Sequence, residues 1–213
     1  MSGQPPSTVE LEFARQHDRE HAQVCCQPAP RRLRLAFWRD EHMVRNALKV
    51  AGEPGLVLDV ACGAGRFWPV LAEHANRVIL AADPSPDMLE HALTHHGGAL
   101  LQRVKTFPSS AFTLGLSANA VDCILCLQLF RHVSASEHRL ALLREFHRVS
   151  RDTVIVSVQI EGRLKIGQAP RRSLADKADI EAEFRQAGFS VLWYQDFLPG
   201  FALTRVYVLR KTG

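Results

Sequence analysis

The stretch Leu56–Phe67, LVLDVACGAGRF, constrains the fold more than any other part of the sequence. Its first three residues form a continuous apolar run, which is typical of a buried strand in a parallel sheet. Asp59 ends that run with a charge, Gly63 and Gly65 follow, and Arg66 opens a pattern with helical spacing. Glycines let a backbone turn tightly and approach a ligand, and the first turn of a helix presents free amide groups. The stretch therefore predicts a ligand-binding turn between a strand and a helix.

A second apolar run, Val78–Ala82, has the same buried-strand character and ends in Asp83. An acidic residue at the tip of a second strand is placed to bind the ribose hydroxyls of a nucleotide cofactor. The dinucleotide fingerprint GxGxxG is not completed, because its third glycine would fall at Trp68. The glycine turn and Asp83 together predict a ribose-containing ligand and argue against a dinucleotide.

With these residues in place, the chain resembles the class I S-adenosylmethionine-dependent methyltransferases, of the broad small-molecule type that includes ubiquinone-biosynthesis C-methyltransferases. The matching segments are VLDVACGAGRF, AADPSPDMLEHA, AVDCILCLQLFRHV and EAEFRQAGF, which lie between Val50 and Lys211. One departure is Ala61, where the family usually has the first glycine of its loop. The resemblance implies an α/β, Rossmann-like, doubly wound fold with a mostly parallel seven-stranded sheet and an antiparallel C-terminal strand. It also implies S-adenosyl-L-methionine as the cofactor.

The same resemblance implies a role for each part of the cofactor site. Asp83 would bind the ribose, and the backbone of Ala61–Gly65 would approach the methionine end, with Asp59 holding the loop. Met88 would reach the adenine ring, although a core methionine is the commoner role in general. The complete set is Asp59, Ala61, Cys62, Gly63, Ala64, Gly65, Asp83, Pro84, Met88, Ser110, Ala111, Phe112 and Leu127.

The loop after the third predicted strand departs from the family pattern. Relatives usually carry an acid, an alanine and an acid there, and this chain aligns Ser110, Ala111 and Phe112 with them. A serine hydroxyl accepts a hydrogen bond from the adenine amino group more weakly than a carboxylate does. We therefore expect a lower cofactor affinity from this departure, with the family assignment unchanged.

The candidate catalytic residue is His132, which leaves the fourth predicted strand, Val121–Leu127, beside the expected methyl position. Methyl transfer from a sulfonium needs close alignment and no metal, and a histidine suits a general base near neutral pH. The alternative is that His132 caps a helix or packs a loop.

Cys123 and Cys126 lie three apart on the strand, so they point to opposite faces and are predicted to be buried thiols rather than metal ligands.

Composition predicts a single domain in the cytoplasm. The chain has 213 residues, five cysteines and a net charge of +4, and an odd cysteine count argues for a reducing compartment. The longest apolar run, Ala120–Phe130, is too short to span a bilayer, and the N-terminus lacks the pattern of a signal peptide. The mild charge, without an RNA-recognition consensus, predicts no nucleic-acid partner.

Two basic segments bear on the acceptor. Arg31–Ala51 is predicted to be a helix with five arginines. These form either a solvated face with ion pairs to Asp40 and Glu41, or part of a lid over the cofactor or an arm that recruits an anion. Ile160–Leu174 carries four more basic residues. If both flank one pocket, a small anionic acceptor is favoured, and two unrelated solvated surfaces are the alternative.

The predicted organisation is an N-terminal arm or lid over residues 1–35 and a cofactor-binding domain over residues 36–213. Adjacent Cys25 and Cys26 are interpreted as free thiols in a turn. The remaining predicted helices are Arg66–Ala75, Pro86–His95, Glu137–His147 and one that follows Asp176 through Gln186. The remaining strands are Leu100–Phe107, Thr153–Gln159, Ser190–Phe197 and Ala202–Arg210.

The function predicted from these features is methyl transfer to a small-molecule or a lipid- or sugar-linked acceptor. One alternative is a methyltransferase that acts on RNA or protein. Another is a cofactor-binding module without catalysis that partners another enzyme, which the departures at Ser110 and Phe112 keep open. The sequence leaves open the acceptor, the atom methylated and the oligomeric state, because acceptor pockets are built from variable loops.

Overall fold

The structure is a computed structural model that describes residues 31–160, 176–197 and 204–212. Within these ranges, seven strands form one sheet in the order β3-β2-β1-β4-β5-β7-β6. Strand β7 is antiparallel to both of its neighbours, and the paired strands β1–β5 are parallel. The strands are β1 Leu56–Val60, β2 Val78–Asp83, β3 Val104–Pro108, β4 Val121–Cys126, β5 Ser150–Val158, β6 Phe189–Asp196 and β7 Arg205–Lys211. The predicted fold class is confirmed.

Helices cover both faces of the sheet, as the doubly wound prediction requires. They are α1 Arg31–Val50, α2 Trp68–Leu71, α3 Pro86–His95, α4 Gly98–Leu101, a 3₁₀ helix Leu129–His132, α5 Ser136–Val149 and α6 Lys177–Gln186. The bounds of α3 agree with the prediction because Ser85 caps it, accepting from the Met88 amide at 3.3 Å, with Pro86 in the first turn.

The buried apolar residues form two clusters, one on each face of the sheet. One contains Phe146 of α5 and Phe184 of α6, and it includes Cys126. The other contains Met43 of α1 and includes Cys123. The two sulfurs therefore lie on opposite faces, as predicted, and burial raises the pKa of both thiols.

Several predicted bounds shift by a few residues, and two differences have a clear structural reason. The helix expected over Arg66–Ala75 is limited to the four residues of α2. It ends early because arginine side chains, rather than the backbone amides of a further helical turn, donate to its last carbonyls. Arg77 donates to Leu71 O, and Arg103 donates to Ala72 O. The strand expected from Leu100 begins only at Val104, because the preceding residues form α4.

The predicted boundary at residue 35 falls inside α1, whose Met43, Val44, Ala47 and Leu48 are buried. Residues 1–30 and 161–175, which hold most of the predicted N-terminal arm, the Cys25–Cys26 pair and most of the basic loop, lie outside the described residues. Within the described ranges, no helix combines the length and apolarity needed to cross a membrane.

Candidate active site

The turn after β1 folds back across the ends of β1 and β2. Ala61, Gly63 and Gly65 all have left-handed backbones, with φ of 55°, 52° and 70°. The turn is closed by the Cys62 amide, which donates to Ala82 O at 3.2 Å, and by the Gly65 amide, which donates to Cys62 O at 3.0 Å. An alanine at positive φ costs about 1–2 kcal/mol, so the surrounding contacts hold a strained conformation at Ala61.

Asp83, at the end of β2, ties this turn to the start of α3. Its Oδ2 accepts from the Gly63 amide at 2.9 Å, and its Oδ1 accepts from the Ser85 amide at 3.0 Å. The side chain is only 3% exposed. Asp83 therefore fixes the shape of the turn, as well as standing at the strand tip where the sequence predicts a ribose contact.

Asp59, which is predicted to hold the loop, has a buried carboxyl group that is 3% exposed. Its Oδ2 is buried and has no hydrogen-bond partner among the described residues, and the same is true of Trp68 Nε1. Burial raises the pKa of Asp59 to about 8, the neighbouring Trp68 indole opposes the rise, and the charge of Asp83 adds to it. The site thus contains a buried acceptor oxygen that no donor among the described residues satisfies.

The two glycines of the turn are needed for different reasons. A Cβ added at Gly65 would lie 2.5 Å from Cδ2 of the buried Trp68 ring, whereas one at Gly63 would meet only Met88 Cε at 3.7 Å. Gly65 therefore makes room for the Trp68 indole, which stands where the dinucleotide fingerprint would have its third glycine. Gly63 faces more open space beside Met88, consistent with the predicted approach of a ligand on that side.

The loops after β2 and β3 lie side by side. The Ser109 amide donates to Asp83 O at 3.1 Å, and the Ser110 hydroxyl accepts from the Phe112 amide at 3.2 Å. Ala111 is buried in the core cluster and Phe112 packs partly against it. The structure thus brings the predicted adenine-side segment next to Asp83, with one lone pair of Ser110 already engaged.

The predicted catalytic residue, His132, lies at the end of the 3₁₀ helix. Its Nε2 accepts from Arg131 Nε at 2.8 Å. Gln128, which precedes this helix, has φ of 69° and donates its amide to Ser157 Oγ at 2.7 Å. These contacts fix the chain where it leaves β4. Arg131, and not His132, is among the residues that line the cavity described next.

A cavity of about 300 Å³ opens at this edge of the sheet. Its walls come from α1, from the segment after the glycine turn and from the ends of β4, β5 and β7. Lining residues include Asp40, Val44, Phe67, Leu127, Gln128 and Val158. Of the predicted site residues, only Leu127 lines it, and the individual α1 residues in its wall, among them Asp40 and Val44, were not singled out from the sequence.

Helix α1 is fixed against the body of the protein by ionic and polar contacts. Asp40 Oδ2 accepts from Arg66 Nη2 at 2.7 Å, and Arg39 Nε donates to Phe197 O at 2.7 Å. Arg45 pairs with Glu73 at 2.7 Å as well as with Glu41 at 3.3 Å. The predicted ion pair to Glu41 is therefore present, but Asp40 pairs with the residue after the glycine turn rather than with a helix arginine.

Comparison with known proteins agrees with this architecture. Residues 57–153 match the methyltransferase domain family. The expected resemblance to the class I S-adenosylmethionine-dependent methyltransferases is confirmed over this segment, which is slightly less than half of the chain. Methyltransferases of this kind use S-adenosylmethionine.

Solved structures share the fold of this methyltransferase at low sequence identity. Magnesium protoporphyrin IX methyltransferase from Synechocystis PCC 6803 with bound SAH has a TM-score of 0.73 and 20% identity, over 96% of this chain and 98% of that one. The same enzyme with bound SAM has a TM-score of 0.72 and 19% identity, over 99% and 100%. The cyclase SpnF has a TM-score of 0.68 and 16% identity, over 81% and 80%, so the fold alone does not fix the chemistry. No curated protein matches the sequence significantly.

Proposed function

We propose that this enzyme transfers the methyl group of S-adenosylmethionine to a small molecule held in the cavity beside β4 and β5. The observation that supports this is the position of that cavity. Phe67, two residues after the glycine turn, and Leu127, at the end of β4, both line it. Strands β1 and β4 are the neighbours at which the strand order reverses, which is where open α/β sheets bind ligands. A donor at the turn and an acceptor in the cavity would therefore be adjacent.

The cofactor-binding residues remain those inferred from the sequence, with their roles refined. Asp83 would contact the ribose while its two backbone bonds keep the turn in shape. Asp59 Oδ2, buried and unsatisfied, suits the ammonium group at the methionine end, because a nearby cation would stabilise the carboxylate that burial disfavours. When bound, S-adenosylmethionine supplies a methyl group activated by its sulfonium.

The character of the cavity favours a small acceptor. Apolar side chains such as Val44, Phe67 and Val158 form much of its wall, and Gln128 and Arg131 add polar groups. Arg131 supports the anionic acceptor predicted from the basic segments, and a lipid- or sugar-linked metabolite remains within the proposal. His132, the general base predicted from the sequence, is not among the cavity-lining residues, and its Nε2 accepts from Arg131.

We also propose that the enzyme works in the cytoplasm. The cysteines of the described residues, Cys62, Cys123 and Cys126, are free and buried. Unpaired thiols of this kind are typical of a reducing compartment. Small-molecule methylation with a nucleoside cofactor is compatible with that location.

The experiment that tests the function follows a labelled methyl group. The enzyme is incubated with S-adenosylmethionine carrying a ¹⁴C methyl and with fractions of a cell extract separated into small molecules, RNA and protein. We expect label to appear in the small-molecule fraction alone, and boiled enzyme serves as the control. Label recovered in RNA or protein would contradict the proposed acceptor class, and no transfer to any fraction would favour the non-catalytic module.

A further inference from the structure

Asp40 is a carboxylate in the wall of the candidate acceptor cavity. Among the cavity-lining residues that the structure describes, it is the one acidic side chain. Its Oδ2 accepts from Arg66 at 2.7 Å, and its Oδ1 makes no hydrogen bond to any described residue. About a quarter of the side chain, 26%, is exposed. One oxygen of Asp40 is therefore held in place while the other is available to a ligand.

The partner of Asp40 connects it to the cofactor turn. Arg66 follows Gly65 directly, and its guanidinium lies over the rings of Phe37 at 4.1 Å and Phe67 at 4.9 Å. An arginine stacked between two aromatic rings and bonded to a carboxylate has little freedom to move. A single ion pair, the one with Arg66, therefore links Asp40 to the glycine turn on the side where the cavity begins.

We propose that Asp40 Oδ1 accepts the proton of a hydroxyl group on the methyl acceptor, which makes this enzyme an O-methyltransferase. This inference rests on the proposed function. In the reaction, the acceptor oxygen forms a bond to the methyl carbon as the carbon–sulfur bond breaks and its electron pair stays on sulfur. The hydroxyl proton moves to Asp40 and from there to solvent. The products are a methyl ether and S-adenosylhomocysteine.

The charges around Asp40 favour this role over the binding of a cation. Arg66 already neutralises the carboxylate, Arg131 lines the same cavity, and Glu41 is the nearest acidic neighbour on α1. Burial raises the pKa of Asp40, Arg66 lowers it by less, and Glu41 adds to the rise. A raised pKa makes the carboxylate a better proton acceptor, and the apolar walls suit an aromatic alcohol.

A matched pair of probes tests the inference at equilibrium. 2-Naphthol and 2-methoxynaphthalene have the same ring system, but only the first has a hydroxyl donor. Fluorescence titration in the presence of S-adenosylhomocysteine should show that the wild type prefers 2-naphthol by about ten- to a hundred-fold, the range for a hydrogen bond to a charged group. Asp40→Leu should abolish the preference, whereas Glu41→Gln should keep it.

Two further measurements separate proton acceptance from a structural role. The preference should fall as the pH drops through the raised pKa of Asp40, since the neutral acid accepts a hydrogen bond more weakly than the carboxylate and can take up no further proton. Arg66→Gln removes the ion pair but leaves Oδ1 of Asp40. It should therefore lower the affinity for both probes together and keep the preference for the probe with the hydroxyl. Equal affinity of the two probes for the wild type, including no binding of either, or a preference that survives Asp40→Leu, would overturn the inference. Calorimetric titration with S-adenosylhomocysteine alone tests the proposed function separately. Heat of binding in that titration would still support the proposed function if the inference about Asp40 failed.

Discussion

Replacing Glu183 with alanine should lower the free energy of unfolding by about 3–5 kcal/mol, the usual cost of leaving a buried charge without its partner. Glu183, on α6, accepts from Arg139 Nη2 at 2.6 Å and from Arg139 Nε at 2.8 Å. Ser136 Oγ donates to the same carboxylate at 2.6 Å. Arg139 also bonds the carbonyls of Val133 and Ser134, so one buried pair joins α5, α6 and the segment before α5.

Urea unfolding followed by circular dichroism measures this effect, with Glu137→Ala as the matched control. Glu137 is 82% exposed at its side chain and lies 3.9 Å from His138, so its removal should cost less than about 1 kcal/mol. Equal midpoints for the two variants would show that the Arg139–Glu183 pair contributes no more than a surface ion pair.

Replacing Gly65 with valine should disrupt the cofactor turn and the packing beneath it. The position has φ of 70°, which a β-branched residue rarely adopts, and its Cβ would overlap the Trp68 ring at 2.5 Å. Overpacking of this kind costs about 1–3 kcal/mol, in addition to the backbone strain of about 1–3 kcal/mol. We expect a lower melting temperature and loss of S-adenosylhomocysteine binding.

Gly98→Ala is the matched control for the glycine turn. An added Cβ at Gly98 meets nothing within 4 Å, and the residue begins α4, so alanine should change stability by less than about 1 kcal/mol, in the stabilising direction. If Gly65→Val had the melting temperature and the S-adenosylhomocysteine affinity of the wild type, the close packing of Trp68 on the turn would be contradicted.

Elements set by local patterns were predictable from the sequence. The seven strands, the capped helix α3 and the opposite faces of Cys123 and Cys126 follow from apolar runs, a serine–proline start and strand alternation. The position of Asp83 at the tip of β2 follows in the same way. Such features depend on neighbours within a few residues, so a single sequence contains the information.

Features set by contacts distant in sequence were not predictable. Arg66 and Asp40 are 26 residues apart, and nothing local distinguishes Asp40 from a surface acid on a basic helix. The early end of α2 depends on Arg103, whose guanidinium bonds carbonyls about 30 residues away. Asp83, rather than Asp59, bonds the turn because the backbone of Gly63 points to the neighbouring strand.

The central claim is that the turn after β1 and Asp83 hold an adenosyl cofactor, and calorimetric titration with S-adenosylhomocysteine tests it most directly. The wild type should bind S-adenosylhomocysteine and give no heat with NAD. Asp83→Ala should weaken binding by at least ten- to a hundred-fold, because a charged acceptor and a support of the turn are both lost. Asp87→Ala, which removes an exposed acid from the first turn of α3, should leave binding close to that of the wild type. Tight binding of NAD without any response to S-adenosylhomocysteine would contradict the account.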